Sequence, residues 1–76
     1  MEKYMQFISM NPEIRFGKPC IKGTRIAIGD ILGWLAAGES HENIIADFPK
    51  LKEEHILAAL NFAANREQVI KILAAA

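Results

Sequence analysis

Residues 28–60, IGDILGWLAAGESHENIIADFPKLKEEHILAAL, decide the fold class of this chain. Apolar residues recur in this stretch at the three- and four-residue spacing of an amphipathic helix. Gly38 is placed to end one helix, and Pro49 to end the next. The pattern predicts three helices, at about 27–37, 41–47 and 52–64. It leaves open whether residues 66–75 continue the third helix or form a short fourth one.

The starts and faces of these helices also follow from the sequence. Ser40 is the predicted N-cap of the second helix. At about 100° per residue, the third helix turns Ile56, Leu60 and Ala63 inward. The predicted outward stripe consists of Glu54, Ala58, Asn61 and Asn65. It has no Arg or Lys for guanine, and Asn61 carries the amide that can pair with adenine.

The first 26 residues have a different pattern and form what we call the arm. Pro12, Gly17, Pro19 and Gly23 separate short extended pieces that are too short for helices. The predicted extended pieces are residues 7–8, 14–16, 20–21 and 24–26. We therefore expect one domain that is mainly α. It has a short N-terminal β arm or hairpin over residues 1–26 and a three- to four-helix bundle of helix-turn-helix type over residues 27–76.

Composition narrows the class of protein further. The chain has 76 residues, of which 51% are hydrophobic, and no apolar run reaches the roughly 18 residues needed to span a bilayer. The N-terminus lacks the pattern of a signal peptide. The lone Cys20 cannot form an internal disulfide, which fits a reducing compartment. We expect a cytoplasmic protein that does not contact a membrane.

Charge is balanced overall but uneven along the chain. Nine Lys and Arg residues oppose nine Asp and Glu residues, yet residues 1–26 carry a net charge of +3 and residues 27–76 a net charge of −3. Phosphate contacts require Lys or Arg side chains. The candidate DNA-binding residues are Arg15, Lys18, Lys22 and Arg25 in the arm, Lys50 and Lys52 at the start of the third helix, and Asn61.

No catalytic or metal-binding constellation is recognisable in the sequence. His41 and Glu42 begin like a zinc-protease motif, but Ile45 stands where the second histidine is required. Two histidines and one cysteine do not make a structural zinc set, so surface or helix-cap roles are predicted for His41 and His55. Residues 17–24 depart from a phosphate-binding loop. We expect no enzyme activity, no cofactor and no small-molecule substrate.

Three apolar side chains lie beside the predicted core faces rather than on them: Trp34, Leu57 and Phe62. A chain of this mass buries only about 60% of its surface on folding, so association with a second chain would increase its stability. We expect these residues to form a homodimer or partner surface. The alternative is looser packing within the monomer.

Several motifs together resemble a known family. They are Gly17-Lys18-Pro19, the run IKGTRI at residues 21–26, and Phe48-Pro49 followed by Leu51. Over about residues 8–64 they are similar to the small prokaryotic family of unknown function number 433. The resemblance implies a homeodomain-like helix-turn-helix fold with a short β arm, among antitoxins encoded beside PIN-like ribonuclease toxins. It supplies no catalytic or ligand-binding residues, and Lys52 departs from the Thr or Ser that is usual there.

Two functions are consistent with these observations. The first is an antitoxin-like, DNA-binding regulator of a type II toxin–antitoxin system that binds a toxin and operator DNA. The second is a protein-interaction or oligomerisation module without DNA binding. The role of Arg25 stays open among three possibilities: clamping a helix C-terminus within the fold, pairing with a carboxylate of a partner, and contacting phosphate.

Overall fold

The computed structural model describes the backbone of residues 2–75 and the side chains of residues 3–66. Its elements are α1 (Glu2–Met5), β1 (Ile8–Ser9), a 3₁₀ turn (Arg15–Gly17), β2 (Cys20–Ile21), α2 (Ile28–Ala36), α3 (His41–Asp47) and α4 (Glu53–Ala75). The mainly helical fold with a small β arm is confirmed, and α2, α3 and α4 begin within about one residue of the predicted positions. Within the described residues, no helix has the length and apolar character needed to cross a membrane.

The end of α2 is set by Gly38, as the sequence predicts. Gly38 has φ +96°, a left-handed conformation that glycine adopts without steric cost. Its N–H donates to the Leu35 carbonyl, and the Glu39 N–H donates to the Trp34 carbonyl, both at 3.0 Å. This pair of hydrogen bonds is the Schellman motif, which satisfies the last carbonyls of the helix.

The start of α3 also agrees with the sequence. The hydroxyl of Ser40 accepts a hydrogen bond from the Asn43 N–H at 3.0 Å, which is the predicted N-cap contact. The helix ends at Asp47, and Phe48, the residue before Pro49, is its C-cap. The ring of Trp34 stacks on that of Phe48, with centroids 4.5 Å apart and planes within 10° of parallel. This stack joins α2 to the end of α3.

The core is small and draws on the arm as well as on the helices. Its fully buried side chains are Ile21, Ile28, Ile31, Ile44, Leu51, Ile56 and Ala59. Cys20 is buried as a free thiol next to Ile21 and behaves as a small hydrophobe. Because β2 supplies Ile21 to the same cluster as α2, α3 and α4, the arm and the helices share one core.

Backbone hydrogen bonds flank β2 on both sides, and one beside it fastens the arm to α2. On one side, β2 pairs antiparallel with β1, with Ile8 opposite Ile21. On the other, the Ile21 N–H donates to the Ile26 carbonyl at 2.9 Å, and the Ile28 N–H donates to the Pro19 carbonyl at 2.8 Å. The first residue of α2 is therefore held directly by the arm.

Two predicted extended pieces of the arm are wrong, residues 14–16 and residues 24–26, since Thr24 and Arg25 lie in a bend. Residues 14–16 were expected to be extended, but Arg15–Gly17 forms a 3₁₀ turn with positive φ angles. The sequence pattern also gave no sign of α1, which has four residues and packs against α4. A helix this short has no complete apolar period, so its position depends on contacts with α4.

The predicted faces of α4 are also partly wrong. Ala58 was placed outward but is fully buried, and Leu60 was placed inward but is 39% exposed. The physical reason is that α1 and α2 both pack against α4, so the buried band is wider and rotated relative to a helix with one neighbour. The backbone of α4 is continuous, so residues 66–75 extend it. The side chains of the predicted apolar residues Val69, Ile70 and Leu73 lie outside those described.

Candidate functional site

An ion pair between Arg15 and Asp30 lies at the centre of the best-defined polar cluster. Arg15 Nη1 donates to Asp30 Oδ2 at 2.9 Å and to the Arg25 carbonyl at 3.0 Å. Asp30 Oδ2 also accepts the Ala27 N–H at 3.0 Å. The hydrogen bond from Arg15 holds the pKa of Asp30 below its usual value, helped by the Ala27 N–H and by the charge of Lys18. The cluster thus ties the arm to the first turn of α2.

The turn that carries Arg15 is strained. Arg15, Phe16 and Gly17 are all left-handed, with φ of +52°, +58° and +81°. For a residue other than glycine this conformation costs roughly 1–2 kcal/mol. Two hydrogen bonds hold the turn, from the Gly17 N–H to the Ile14 carbonyl and from the Lys18 N–H to the Arg15 carbonyl. Phe16 is nonetheless 98% exposed, so burial of its ring within the chain does not offset the strain.

The predicted DNA-binding residues of the arm are brought together only in part. Lys18, Lys22 and Arg25 have exposed side chains, and we refer to these three as the arm cations. Arg25 and Lys18 lie near the ion pair, since the Arg25 carbonyl binds Arg15 and the charge of Lys18 acts on Asp30. Arg15 differs from the arm cations because its guanidinium is bound within the fold. Arg15 binds the first turn of α2 and not a helix C-terminus, so its contact differs from the clamping role considered for Arg25.

The predicted cations at the start of α4 have different surroundings. Lys50 and Lys52 are exposed, but the exposed carboxylates of Glu53 and Glu54 follow them at once. Asn61 is half-buried, and its carbonyl and side-chain oxygens both accept hydrogen bonds from the Asn65 amide, at 2.9 and 3.3 Å. The residue predicted to pair with adenine thus uses its oxygen within α4.

The two histidines occupy the cap and surface positions predicted for them. His55 Nδ1 accepts the Lys52 N–H at 2.9 Å, which requires the ring proton on Nε2, and its ring meets the Phe7 ring edge-on with centroids 5.3 Å apart. His41 Nδ1 lies 2.6 Å from Glu53 Oε1 on the surface. Among residues 3–66, no three His, Cys, Asp or Glu side chains come close enough together to hold a metal ion.

The exposed face of α4 carries an apolar stripe. Leu57, Leu60 and Ala64 recur at i, i+3 and i+7, and the two leucines are 38% and 39% exposed. We call these three residues the outer stripe. Of the predicted partner surface, only Leu57 belongs to it. Trp34 and Phe62 lie apart from the outer stripe and pack half-buried against the core.

A pocket of about 530 Å³ opens between the arm, α2 and α4. Its apolar lining consists of Pro19, Ala27, Ile28, Leu32, Phe62 and Ala63, and its polar lining of Lys18, Asp30 and Arg66. We call it the interhelix pocket. Sequence reasoning missed it, and it missed the exposure of Phe16. The lining residues come from three separate segments, and a single Phe in a turn carries no periodic signal.

Comparison with known proteins places this chain in a family. The model described as "Protein of unknown function (DUF433)" matches residues 8–63, from the start of β1 into α4. This chain belongs to the DUF433 family. The matched residues include the Arg15–Asp30 pair, Phe16, the arm cations and all of the outer stripe except Ala64. The family description assigns no activity to any of them.

Two relatives support the family and the fold. The chain is 34% identical over 61 residues to "Uncharacterized protein y4eO" of Sinorhizobium fredii (strain NBRC 101917 / NGR234). That alignment covers 79% of this chain but 28% of the relative, which is therefore a much longer protein. A crystal structure of a DUF433 member protein from Anabaena variabilis superposes with a TM-score of 0.74 at 26% identity. It covers 96% of this chain and 77% of the other.

Proposed function

We propose that this DUF433 protein is a dimeric, antitoxin-like regulator without enzyme activity. It binds a protein partner, of the PIN-like ribonuclease toxin type, through the outer stripe of α4, and operator DNA through the arm cations. One observation carries the proposal: the exposed cations and the exposed apolar stripe belong to different parts of one small fold. A regulator that binds DNA and a protein at the same time needs two such surfaces.

The DNA half of the proposal rests on the arm rather than on α4. Lys18, Lys22 and Arg25 are exposed, and such side chains position a protein on the phosphate backbone. The exposed side of α4 presents leucines, and its first turn adds Glu53 and Glu54. Leucines do not read base edges by hydrogen bonds, and carboxylates repel phosphate. Phosphate contact through the arm is therefore the mode that the charges favour.

A gel-shift titration on the DNA upstream of the gene tests this half. The Lys22→Gln/Arg25→Gln double variant should bind more weakly than wild type. Its slope of log affinity against log salt should be shallower by roughly 3.6 units, since the dimer loses four phosphate contacts and each contributes about 0.9. The Lys50→Gln/Lys52→Gln double variant removes the same charge and should bind like wild type. Absence of wild-type binding at low salt would refute the DNA half.

The protein half rests on the composition of the outer stripe. Leu57 and Leu60 are large apolar side chains, each more than a third exposed, on the solvent side of a 23-residue helix. An amphipathic helix that lays an apolar face at i, i+3 and i+7 into a groove is a common mode of protein recognition. A toxin encoded beside its antitoxin is the partner that the family resemblance implies.

Co-expression with the product of the neighbouring gene tests the protein half. Wild type should copurify as a stoichiometric complex, and Leu57→Lys/Leu60→Lys should abolish it because two charges would be buried against the partner. The control is Glu54→Lys, which adds a cation to the same helix outside the stripe. Equal copurification of wild type and the leucine variant would contradict the assignment of this surface.

A second function has an observation in its favour. From Glu53 to Ala64 the exposed side chains of α4 are leucines, alanine and glutamates, which do not favour phosphate, and this fits a protein-interaction or oligomerisation module without DNA binding. The two functions are separated by the two experiments above. A stable complex with the neighbouring product, together with no gel shift at low salt, supports the module.

A further inference from the structure

Phe16 is the most exposed large apolar side chain of the described residues, at 98%. It also sits at φ +58°, where a Phe is unfavourable, between two further left-handed residues. Strain of this kind persists where the surrounding structure imposes it, and it is concentrated at functional positions. Here the ion pair of Arg15 with Asp30 fixes the turn. The backbone of the turn thus projects a phenyl ring into solvent, and aromatic side chains are enriched at the centre of protein interfaces.

The interhelix pocket has the size and lining to accept such a ring. Its volume is about 530 Å³, whereas a dry cavity of about 150 Å³ holds a benzene molecule. Ile28, Leu32 and Phe62 supply apolar surface, and Arg66 supplies a cation that can lie over a ring face. The ring of Phe16 is not among the residues that line the pocket of its own chain.

The ring and the pocket lie close to each other on the molecule. Asp30 lines the pocket and holds the Arg15 side chain, and Lys18, two residues after Phe16, lines it as well. A closed two-fold dimer uses the same patch on both copies, so a projecting group and its receiving pocket must share one patch. We propose that Phe16 of each copy inserts into the interhelix pocket of a second copy of this chain. The inference rests on the dimer of the proposed function and names its interface.

The exchange would supply part of a standard interface. Two exchanged Phe side chains would bury about 300–500 Å² of the roughly 1,600 Å² that such an interface buries in total.

The charges of the interface determine how the dimer responds to salt. Lys18 and Arg66 line the pocket as cations, and the carboxylate that lines it, Asp30, is already paired with Arg15. Two copies that meet here therefore bring like charges together, although the formal net charge of the chain is zero. Salt screens the local repulsion, so dimerisation should strengthen between about 50 and 300 mM salt. DNA binding through the arm cations should weaken over the same range. The two activities therefore respond to salt in opposite directions.

Sedimentation equilibrium of the full chain tests the exchange. Wild type should dimerise, and Phe16→Gly should raise the dimer dissociation constant by roughly 1,000-fold. Loss of one hot-spot aromatic costs a factor of about 30, and the dimer contains two. Glycine suits the left-handed turn, so this variant should fold. The control is Leu60→Ala, which removes an exposed leucine from α4 and should leave dimerisation unchanged.

A mixing experiment distinguishes ring exchange from an indirect effect. Ala63→Phe should fill the pocket and prevent dimerisation of the variant alone, with circular dichroism confirming that it is folded. Mixed with Phe16→Gly, it should form a heterodimer that keeps one intact ring-in-pocket contact, about 30-fold weaker than wild type. Failure of the mixture to associate would overturn the exchange.

The remaining outcomes separate this inference from the proposed function. A wild-type dimer that is insensitive to Phe16→Gly overturns the inference and leaves the dimeric regulator in place, with its interface elsewhere. A wild-type chain that is monomeric at all salt concentrations overturns both the exchange and the dimer. Dimerisation that weakens with salt, as DNA binding does, contradicts the charge arrangement argued above.

Discussion

Both α2 and α4 begin without a side-chain N-cap, and different side chains accept the N–H of the cap residue in the two helices. Neither N-cap residue, Ala27 or Lys52, has a side-chain oxygen that accepts a first-turn N–H. In both helices the side chain three residues later accepts the N–H of the cap residue. Asp30 Oδ2 accepts from Ala27, and His55 Nδ1 accepts from Lys52. Each contact is half of a capping box.

The difference between them is what else the acceptor binds. Asp30 is anionic and paired with Arg15, so the start of α2 is coupled to the strained turn that carries Phe16. His55 accepts as a neutral ring and rests against Phe7 by an aromatic contact. The arm therefore supports both helix starts. At α2, however, the supporting contact is the Arg15–Asp30 ion pair, which also holds the turn that exposes Phe16.

The largest effect on stability is expected from Asp30→Ala. It removes a cap and should lower the free energy of unfolding by about 1–2 kcal/mol, most of it from the cap. The ion pair is about one-third exposed and adds little beyond that. Urea denaturation measures the change. Asp47→Ala, an exposed Asp on α3, should change it by less than about 0.5 kcal/mol. Equal effects of the two variants would show that Asp30 has no capping role.

A smaller effect should appear in acid. The pKa of Asp30 is lowered in the folded chain from an ordinary value of 3.8, chiefly by the hydrogen bond from Arg15. The unfolded state therefore binds the proton first. The stability that the lowered pKa of Asp30 contributes is complete above about pH 4. It declines as the pH falls further, until Asp30 is protonated in the folded chain. The difference in stability between wild type and Asp30→Asn should narrow below pH 4. A constant difference down to pH 2 would contradict it.

Substitutions at the start of α4 should lower the free energy of unfolding less than Asp30→Ala does. His55→Ala should lower the free energy of unfolding by about 1 kcal/mol, through loss of the cap acceptor and of the contact with Phe7. His55→Asn keeps an acceptor and should recover part of this loss. His41→Ala removes a largely exposed pair with Glu53 and should have an effect near zero. A larger loss for His41→Ala than for His55→Ala would reverse this assignment.

Periodic and local signals made the helical part predictable. The spacing of apolar residues located α2, α3 and α4, and the Ser40 cap and the Gly38 end depend on one or two residues each. The faces of α4 were partly wrong because they depend on α1, whose four residues carry no period. An element that is stable only through contact with another element leaves little trace in its own sequence.

The candidate site was less predictable for a related reason. The cations of the arm could be read from the sequence, but not that Arg15 would bind Asp30, fifteen residues away. The exposure of Phe16 depends on three consecutive left-handed residues, and only Gly17 signals that conformation. Long-range polar contacts and strained turns depend on the assembled fold.

The smallest effect, and the one that most directly compares the two helix starts, is expected from Lys52→Ser. Serine would supply the side-chain acceptor that the start of α4 lacks, while His55 continues to accept the N–H of residue 52, which completes a capping box. The free energy of unfolding should rise by about 0.5–1 kcal/mol. Lys50→Ser removes the same charge two residues earlier, outside the cap, and should leave stability unchanged. The gain should shrink in the His55→Ala background, because the two halves of the box fix the same backbone geometry. An equal gain in both backgrounds would show that the two contacts act independently.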